Sequence, residues 1–289
     1  MSPTRPILRE ILAKSTRYLT EKNVDSPRLS AELVIAHALG LNRLDLFLDL
    51  DKPLSESELA RIRPILARRG TGEPMAYILG RREFYGLDFH VTPEVLIPRP
   101  DTELGVELVL KLFDPGQTFC FADVGTGSGA LCAILLKLFP QARAVATDIS
   151  FGALNVATGN LRRHGVDQRC VRTRGDLLRH VKGRSLDLIV ANLPYIGEKE
   201  AESLSKEVVG FEPHLALFGG LEGDELFPPL LWDAQEVLVN GGVVLLEVGT
   251  NQAKNLCDRI AGMSPRWTDI AIHRDLAGHE RYAQARLRW

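Results

Sequence analysis

The chain has 289 residues, of which 45% are hydrophobic and 25% charged, and its formal net charge is −2. This composition is typical of one large or two ordinary globular domains, and the charge gives no general attraction to nucleic acid or an anionic membrane. No apolar run approaches the ~18 residues needed to span a membrane.

The cysteines show no paired spacing. They are Cys120, Cys132, Cys170 and Cys257, and we interpret them as reduced core thiols in a cytoplasmic protein without a metal site. Acidic and basic residues are mixed from Arg5 to Glu21, which argues against a signal peptide.

Residues 4–72 have the pattern of a small helical domain. The predicted helices cover residues 7–19, 27–39, 44–50 and a segment beginning at 55. Ser55 and Glu58 form a capping box, and Pro64 predicts a kink or an early end in the last helix.

Arginines crowd the end of this region. They are Arg61, Arg63, Arg68, Arg69, Arg81 and Arg82, with Glu73 as the only acid among them. Such a run is usually a solvated face, and the functional alternative is a docking surface for an acidic or RNA-associated partner.

From residue 83 the apolar residues alternate, which predicts a β-hairpin over 83–97 that turns at Thr92-Pro93. We therefore divide the chain into a helical domain over 1–80, a hairpin linker over 81–100 and a third segment over 101–289. Asp101 is predicted to cap a helix running to Phe113.

Strands and helices alternate from Gln117 onward, which predicts an α/β fold with a parallel sheet. Predicted strands cover 119–124, 142–147, 170–173, 186–192, 243–248, 267–273 and 281–286, and helices cover 130–139, 153–163, 225–239 and 252–261. Residues 196–224 form a long connection, which is usually functional or mobile.

A glycine loop follows the first of these strands. Its residues are Gly125, Thr126, Gly127, Ser128 and Gly129. Free N–H groups at the following helix start would favour an anionic group, and Asp148 stands where an acid binds ribose hydroxyls. Asp123 either bonds the turn or lies beside a cationic ligand. These features predict a nucleoside-bearing ligand and fit a dinucleotide as well as S-adenosylmethionine.

A second cluster ends the fourth strand. Asn192 and the Leu193 carbonyl, held by Pro194 and followed by the Tyr195 ring, offer two acceptors beside an aromatic face. This arrangement suits a flat –NH2 group, and the alternative is an ordinary strand-ending turn. No His or Lys proton donor for hydride transfer follows this strand, so methyl transfer, which needs positioning, is favoured.

The chain resembles the HemK/PrmC-type protein-glutamine methyltransferases. The similar segments are Gly72-Glu73-Pro74, Tyr77 to Gly80, Phe84 to Gly86, Ile97 to Glu103, the glycine loop, Asp148, Glu212-Pro213, Ala216-Leu217, Glu247 to Gly249 and Gln252. The resemblance implies a class I S-adenosylmethionine-dependent methyltransferase domain with a Rossmann-like, seven-stranded sheet, and a helical N-terminal domain that recognises the substrate.

The family's substrate is the glutamine of the Gly-Gly-Gln motif in peptide chain release factors. The resemblance assigns cofactor contacts to the glycine loop, Asp148, Leu177 and Asn192, and the substrate amide to Asn192 through Tyr195. We add Asp123 and Asp176 as candidate cofactor contacts. The net charge and the helical N-terminal domain argue against direct DNA binding, and the short apolar runs argue against a membrane. The family usually has Pro where this chain has Leu193, but a backbone carbonyl is present in both.

Two other functions remain open. DNA amino-methyltransferases use a similar motif, although they need a DNA-binding region and base flipping. A non-enzymatic module that binds the cofactor or the release factor would leave the Asn192 cluster idle.

Overall fold

The computed structural model describes residues 5–181 and 183–289. Residue 4, the first of the predicted helical region, lies outside them. The chain divides into two compact units. Unit 1 contains the described residues up to Gly80 together with Ser205–Phe211, and unit 2 contains Arg81–Leu204 and Glu212–Trp289.

Unit 1 is helical. Its first five helices are α1 (Leu8–Glu21), α2 (Pro27–Leu39), α3 (Arg43–Leu48), α4 (Glu56–Gly70) and α5 (Met75–Leu79). Gly40 ends α2 in the left-handed conformation, and the predicted capping box is present, with Glu58 N–H donating to Ser55 Oγ. The core includes Leu8, Ile35, Leu46 and Ile62. No helix among the described residues is long and apolar enough to cross a membrane.

The predicted early end at Pro64 is wrong, because α4 continues for six residues beyond it, to Gly70. Pro64 lies on the exposed side of α4, whereas Leu59, Ile62 and Arg69 are buried. The packing of these side chains holds the helix together across the hydrogen bond that proline cannot donate.

Nor do the unit 1 arginines form one solvated face. Arg69 is only 4% exposed, and its guanidinium donates to the Glu207 carboxylate at 2.7 Å and to the Glu73 carbonyl at 2.8 Å. Arg63 pairs with Glu56 and Arg68 with Glu73. The fold thus neutralises most of a cluster that looks unpaired in the sequence.

The hairpin at the start of unit 2 lies earlier than predicted. Strands β1 (Arg81–Phe84) and β2 (Leu87–His90) are antiparallel and turn at Tyr85-Gly86, with φ of 49° and 76°. Positive φ at both central residues is the geometry of a tight hairpin turn, which proline cannot adopt. The predicted turn at Thr92-Pro93 is therefore wrong.

Helix α6 (Glu103–Leu112) begins without a side-chain cap, so the predicted capping role of Asp101 is also wrong. A single 3-10 turn, Pro100–Thr102, precedes the helix. The Asp101 carboxylate instead pairs with Arg281 at 3.0 Å.

The second unit contains the predicted α/β sheet. Its remaining elements are β3 (Cys120–Val124), α7 (Ala130–Leu138), β4 (Arg143–Asp148), α8 (Phe151–Arg163), β5 (Cys170–Arg174), β6 (Leu186–Ala191), α10 (Phe227–Val237), β7 (Leu238–Glu247), α11 (Ala253–Met263), β8 (Trp267–Arg274) and β9 (Glu280–Leu287), with α9 (Lys206–Phe211) belonging to unit 1. The strand order is β5-β4-β3-β6-β7-β9-β8, and β9 alone runs antiparallel between β7 and β8.

The strand order reverses between β3 and β6, where ligands bind in open α/β sheets. In register, Val124 lies beside both Thr147 and Ala191, and Ala191 lies beside Leu246. The residues that follow these strand ends are consequently brought to one edge of the sheet.

The long connection over 196–224 has more structure than its sequence pattern indicates. It contains two short 3-10 segments, Glu198–Ser203 and His214–Ala216, besides α9. Ile196 N–H donates to the Leu217 carbonyl, and Gly219 N–H donates to the Ile196 carbonyl. These bonds hold the last part of the connection beside the end of β6.

Gly129→Ala should destabilise the protein more than Gly127→Ala. Both glycines have positive φ, but a Cβ on Gly129 would lie 3.0 Å from Ala157 Cβ, whereas one on Gly127 would lie 4.0 Å from its nearest neighbour. Left-handed strain costs about 1–2 kcal/mol at either site, and overpacking adds roughly 1–3 kcal/mol at Gly129. Urea unfolding of both variants measures the difference, and equal losses would contradict a packing role for Gly129.

Candidate active site

A cavity of about 720 Å³ lies at the carboxyl ends of β3, β4 and β6. This volume is in the range of small-molecule sites. It is lined by most of the predicted site residues: Asp123, Gly125, Thr126, Gly127, Ser128, Asp148, Asp176, Leu177, Asn192, Leu193 and Pro194. Gly129 and Tyr195 do not line it.

Four of the five N–H groups of the glycine loop already donate hydrogen bonds. Those of Gly125 and Thr126 donate to the Thr147 carbonyl at 2.9 and 3.0 Å, and that of Gly127 donates to Asp148 Oδ2 at 2.9 Å. Gly129 N–H donates to the Thr126 carbonyl. The loop is thereby tied to the end of β4, and these four N–H groups are not available to an anionic ligand.

Asp148 is held in place from two sides. Besides the bond from Gly127, its Oδ1 accepts the Ser150 N–H at 2.8 Å. Burial raises the pKa of Asp148, and these backbone donors oppose that shift. Each carboxylate oxygen keeps a lone pair for a further donor, so the residue can accept the hydroxyls of a ribose.

Asp123 lies deeper, at 2% exposure, and its Oδ2 accepts the Thr126 hydroxyl at 2.6 Å. Burial raises the pKa of this carboxyl to about 6, and the Thr126 hydrogen bond opposes the rise. Two acidic side chains, Asp123 and Asp148, therefore line one cavity. Such a wall repels phosphate and favours a cationic ligand.

Leu177 and Asp176 lie at the β4 side of the cavity. Leu177 is 7% exposed and has φ of 52°, a conformation that L side chains rarely adopt. Its side chain offers an apolar wall beside Asp148, as a flat base requires. Asp176 is largely exposed and pairs with Arg179 at 2.7 Å.

The orientation of Asn192 is set by Thr102. Asn192 Nδ2 donates to Thr102 Oγ1 at 3.0 Å, so the amide oxygen, Oδ1, is left as an acceptor. The Leu193 side chain packs on the glycine loop, since a Cβ on Gly125 would lie 3.1 Å from Leu193 Cδ2. Pro194 approaches Gly219 closely: a Cβ there would lie 2.2 Å from the Pro194 carbonyl oxygen.

Tyr195 is positioned by the segment after β7. Gln252 Nε2 donates to the Tyr195 carbonyl at 2.8 Å, and the ring packs against Gly249, where a Cβ would lie 3.1 Å from Tyr195 Cδ2. Burial raises the pKa of Tyr195 to about 12, so its hydroxyl stays protonated at neutral pH.

Sequence reasoning gave no role to three residues at this site. Arg99 lines the cavity and donates to the buried Glu212 carboxylate at 2.5 Å, which also accepts the Ile97 N–H. Thr102 lines the cavity as well. Glu247, at the end of β7, is 1% exposed. All three belong to sequence segments that resemble the family, and that resemblance was the signal that could have identified them.

Comparisons with known proteins agree with this geometry. A family model described as PrmC N-terminal domain matches residues 10–80, and one described as Methyltransferase small domain matches residues 98–210. A release factor glutamine methyltransferase of Nitratidesulfovibrio vulgaris is 40% identical over 286 residues, which cover 99% of this chain and 97% of that protein.

The chain belongs to the release factor glutamine methyltransferase family. A second relative of that name, from Moorella thermoacetica, is 40% identical and covers 95% of this chain and 96% of its own. The predicted family is thereby confirmed, and members of it are S-adenosylmethionine-dependent enzymes.

Solved structures confirm the class I methyltransferase fold. A methyltransferase from Pyrococcus furiosus is 20% identical, with a TM-score of 0.52, and covers 71% of this chain and 90% of its own. The N-terminal domain of human METTL16 in complex with SAH is 18% identical, with a TM-score of 0.51, and covers 76% and 82%. At these identities the comparison concerns the fold alone.

The cavity fits S-adenosylmethionine and does not fit a dinucleotide. The cofactor carries cationic sulfonium and ammonium groups, which suit a wall containing Asp123 and Asp148. A pyrophosphate would meet those acidic side chains, and four of the five loop N–H groups already have acceptors. Asp148 would hold the ribose, and Leu177 would cover the base.

Asp148→Asn should weaken S-adenosylmethionine binding by about tenfold to a hundredfold, because hydrogen bonds to a charged group are worth about 1.5–3 kcal/mol. Isothermal calorimetry measures the change in affinity, and urea unfolding shows whether the variant keeps its folding stability. Asp258→Asn, which removes an exposed carboxylate paired with Lys254, is the matched control. Unchanged affinity in Asp148→Asn would contradict the ribose assignment.

Proposed function

We propose that this enzyme methylates the side-chain amide nitrogen of the glutamine in the Gly-Gly-Gln motif of peptide chain release factors, with S-adenosylmethionine as the methyl donor. The observation that carries the proposal is the Asn192 amide at the carboxyl end of β6, oriented with its oxygen free. Release factors act on the ribosome, so we also place the enzyme in the cytoplasm.

The substrate requires two hydrogen-bond acceptors. An amide nitrogen is a poor nucleophile because its lone pair is delocalised into the carbonyl group. Asn192 Oδ1 and the Leu193 carbonyl oxygen each accept one N–H of the glutamine, which directs the nitrogen towards the methyl donor. Tyr195 packs beside the amide plane. The rate gain comes mainly from the orientation of the amide nitrogen, which can lower the activation barrier by on the order of 7–11 kcal/mol at most.

The bound cofactor supplies an electrophilic methyl group. With that cofactor held in the cavity, the glutamine nitrogen would bond to the methyl carbon as the carbon–sulfur bond breaks, and one N–H proton would then leave to water. No residue at the end of β6 has to remove that proton beforehand. The protonated Tyr195 is not suited to act as a base.

Leu193 is compatible with this role. Its N–H donates no hydrogen bond among the described residues, and its carbonyl is held by the following proline. Replacing Leu193 by the family's usual Pro would keep the acceptor. It would remove the side-chain contact with Gly125 and part of the packing in the buried cluster to which Leu193 belongs.

The substrate class is tested by incubating the enzyme and S-adenosylmethionine with a release factor or with duplex DNA. Mass spectrometry of the tryptic peptide containing Gly-Gly-Gln should show a gain of one methyl group, and the DNA should stay unmodified. Methylated DNA would favour the amino-methyltransferase alternative, and no methylation of either would favour a binding module.

Asn192→Ala should lower turnover on the release factor by on the order of a hundredfold, because misplacing a reacting atom by about 1 Å has that effect. Leu193→Pro should keep near-normal turnover. Steady-state kinetics on the intact release factor measures both, with cofactor calorimetry as the control for folding. The acceptor roles would be falsified if Asn192→Ala were active while Leu193→Pro were not.

We further propose that unit 1 recognises the body of the release factor. Helix α3 exposes three apolar side chains: Leu44 is 78% exposed, Leu48 is 82% exposed and Phe47 is 39% exposed. Scattered exposed apolar residues are ordinary, but an adjacent group on one short helix is typical of an interaction surface.

A Leu44→Ser/Leu48→Ser variant should raise the KM for intact release factor and leave the kinetics on a short Gly-Gly-Gln peptide unchanged. Point variants are preferable to deleting residues 1–72, since the deletion would remove Arg69 from its partner Glu207. Leu276→Ser, at a fully exposed position of unit 2, is the control. An unchanged KM for the intact factor would exclude this surface.

A further inference from the structure

A buried hydrogen-bonded chain lies behind Asn192. Thr102 Oγ1 accepts the Asn192 Nδ2–H at 3.0 Å, and the Tyr282 hydroxyl lies 3.3 Å from the Thr102 carbonyl oxygen. The Thr102 side chain favours the charged form of the buried Glu247 carboxyl, which lowers the pKa of that group against the effect of burial. Tyr282 contributes its hydroxyl to Glu247 Oε2 at 3.1 Å. Thr102 is 7% exposed, and Glu247 and Tyr282 are 1% exposed.

The register of the sheet brings these hydrogen-bonded residues together. Ala191 at the end of β6 lies beside Leu246 of β7, and Glu247 lies beside Tyr282 of β9. A Cβ on Gly105 of α6 would lie 2.5 Å from the Tyr282 hydroxyl, so this glycine lets α6 and its preceding turn approach the sheet. This close approach places Thr102 next to the Asn192 amide.

Glu247 is a costly residue to bury. No Lys, Arg or His nitrogen of the described residues lies within 4.0 Å of its carboxylate. Arg281, which precedes Tyr282 in β9, is paired with Asp101 and Asp275 instead. A buried carboxylate without a cation is rarely retained for stability alone. Its hydrogen bonds therefore point to a function.

We propose that Glu247 and Thr102 are positioning residues that fix the Asn192 amide with its oxygen towards the substrate. The proposal rests on the proposed function, since it explains how Asn192 becomes an acceptor for the glutamine N–H. Neither residue needs to touch the substrate's nitrogen.

The directions of the hydrogen bonds carry the argument. An ionised carboxylate can only accept, so the single hydroxyl proton of Thr102 goes to Glu247. Thr102 Oγ1 then has only lone pairs left, and these select the –NH2 end of Asn192. A flipped amide would present its oxygen to those lone pairs and its –NH2 group to the substrate's own –NH2 group.

Protonation of Glu247 would weaken the preference for one orientation of the Asn192 amide. A protonated carboxyl could donate to Thr102 and release the Thr102 proton, which could then bond a flipped Asn192. Burial raises the pKa of Glu247 to about 7, opposed by the Thr102 and Tyr282 hydrogen bonds. The charged or titratable groups around it are Asp101, Arg281, Tyr195 and Tyr282. The orienting form therefore increases as the pH rises through about 7.

The decisive comparison is Thr102→Val against Thr102→Ser, measured on the intact release factor. Valine keeps the shape but removes the hydroxyl, so kcat should fall by roughly tenfold to a hundredfold. Serine keeps the hydroxyl and should give nearly the wild-type kcat. Calorimetry of cofactor binding and urea unfolding separate this effect from a folding defect.

A second measurement does not depend on activity. In the wild type, the side-chain amide signals of Asn192 in ¹⁵N NMR, assigned by their absence in Asn192→Ala, should shift as the pH passes about 7. The shift should vanish in Glu247→Gln, which also should lose the corresponding step in the pH profile of kcat. Glu247→Asp, which keeps the charge, should retain the step at a reduced rate.

Equal kcat values for Thr102→Val, Thr102→Ser and wild type would overturn the positioning proposal, as would Asn192 signals that titrate identically in Glu247→Gln. If the wild-type enzyme does not methylate the release factor at all, the proposed function fails instead. The NMR titration still tests the hydrogen-bonded chain in that case.

Discussion

The parallel register at the centre of the sheet is the constraint on which the site depends. Because β3 lies between β4 and β6, the glycine loop, Asp148 and Asn192 all leave the sheet at one edge. The next strand, β7, adds Glu247 behind Asn192. The first three of these segments thus form one cavity, without any of them needing a special backbone conformation inside a strand.

Burial of acidic groups gives the site its electrostatic character. Burial raises the pKa of Asp123 to about 6 and that of Glu247 to about 7, whereas their ordinary values are 3.8 and 4.5. A carboxyl with a raised folded pKa binds its proton more tightly in the folded state, so folding becomes less favourable as the pH rises from about 4 to about 7. This cost falls at the site where we propose that the protein binds S-adenosylmethionine and orients the Asn192 amide.

Close backbone approach is the second requirement of the site. Leu193 packs against Gly125, the Pro194 carbonyl lies against Gly219, and the Tyr195 ring lies against Gly249. Each glycine makes room for one residue of the substrate-amide cluster, and any side chain larger than hydrogen would displace it. The cluster is therefore held by three surrounding segments, which keeps its two acceptors in a defined geometry.

The sequence by itself determined the strand-loop-helix that carries the glycines, the acid at the end of β4 and the amide cluster after β6, because each is encoded in a few adjacent residues. Only the tertiary structure decided how they are oriented. Thr102 and Asn192 are 90 residues apart, and neither periodicity nor spacing links them. The hairpin turn at Tyr85-Gly86 was missed because its first residue is a tyrosine with positive φ, and the assignment of Ser205–Phe211 to unit 1 depends on packing across the fold. Local patterns specify elements and strand-end chemistry, whereas hydrogen-bond direction and burial arise only when distant segments pack together.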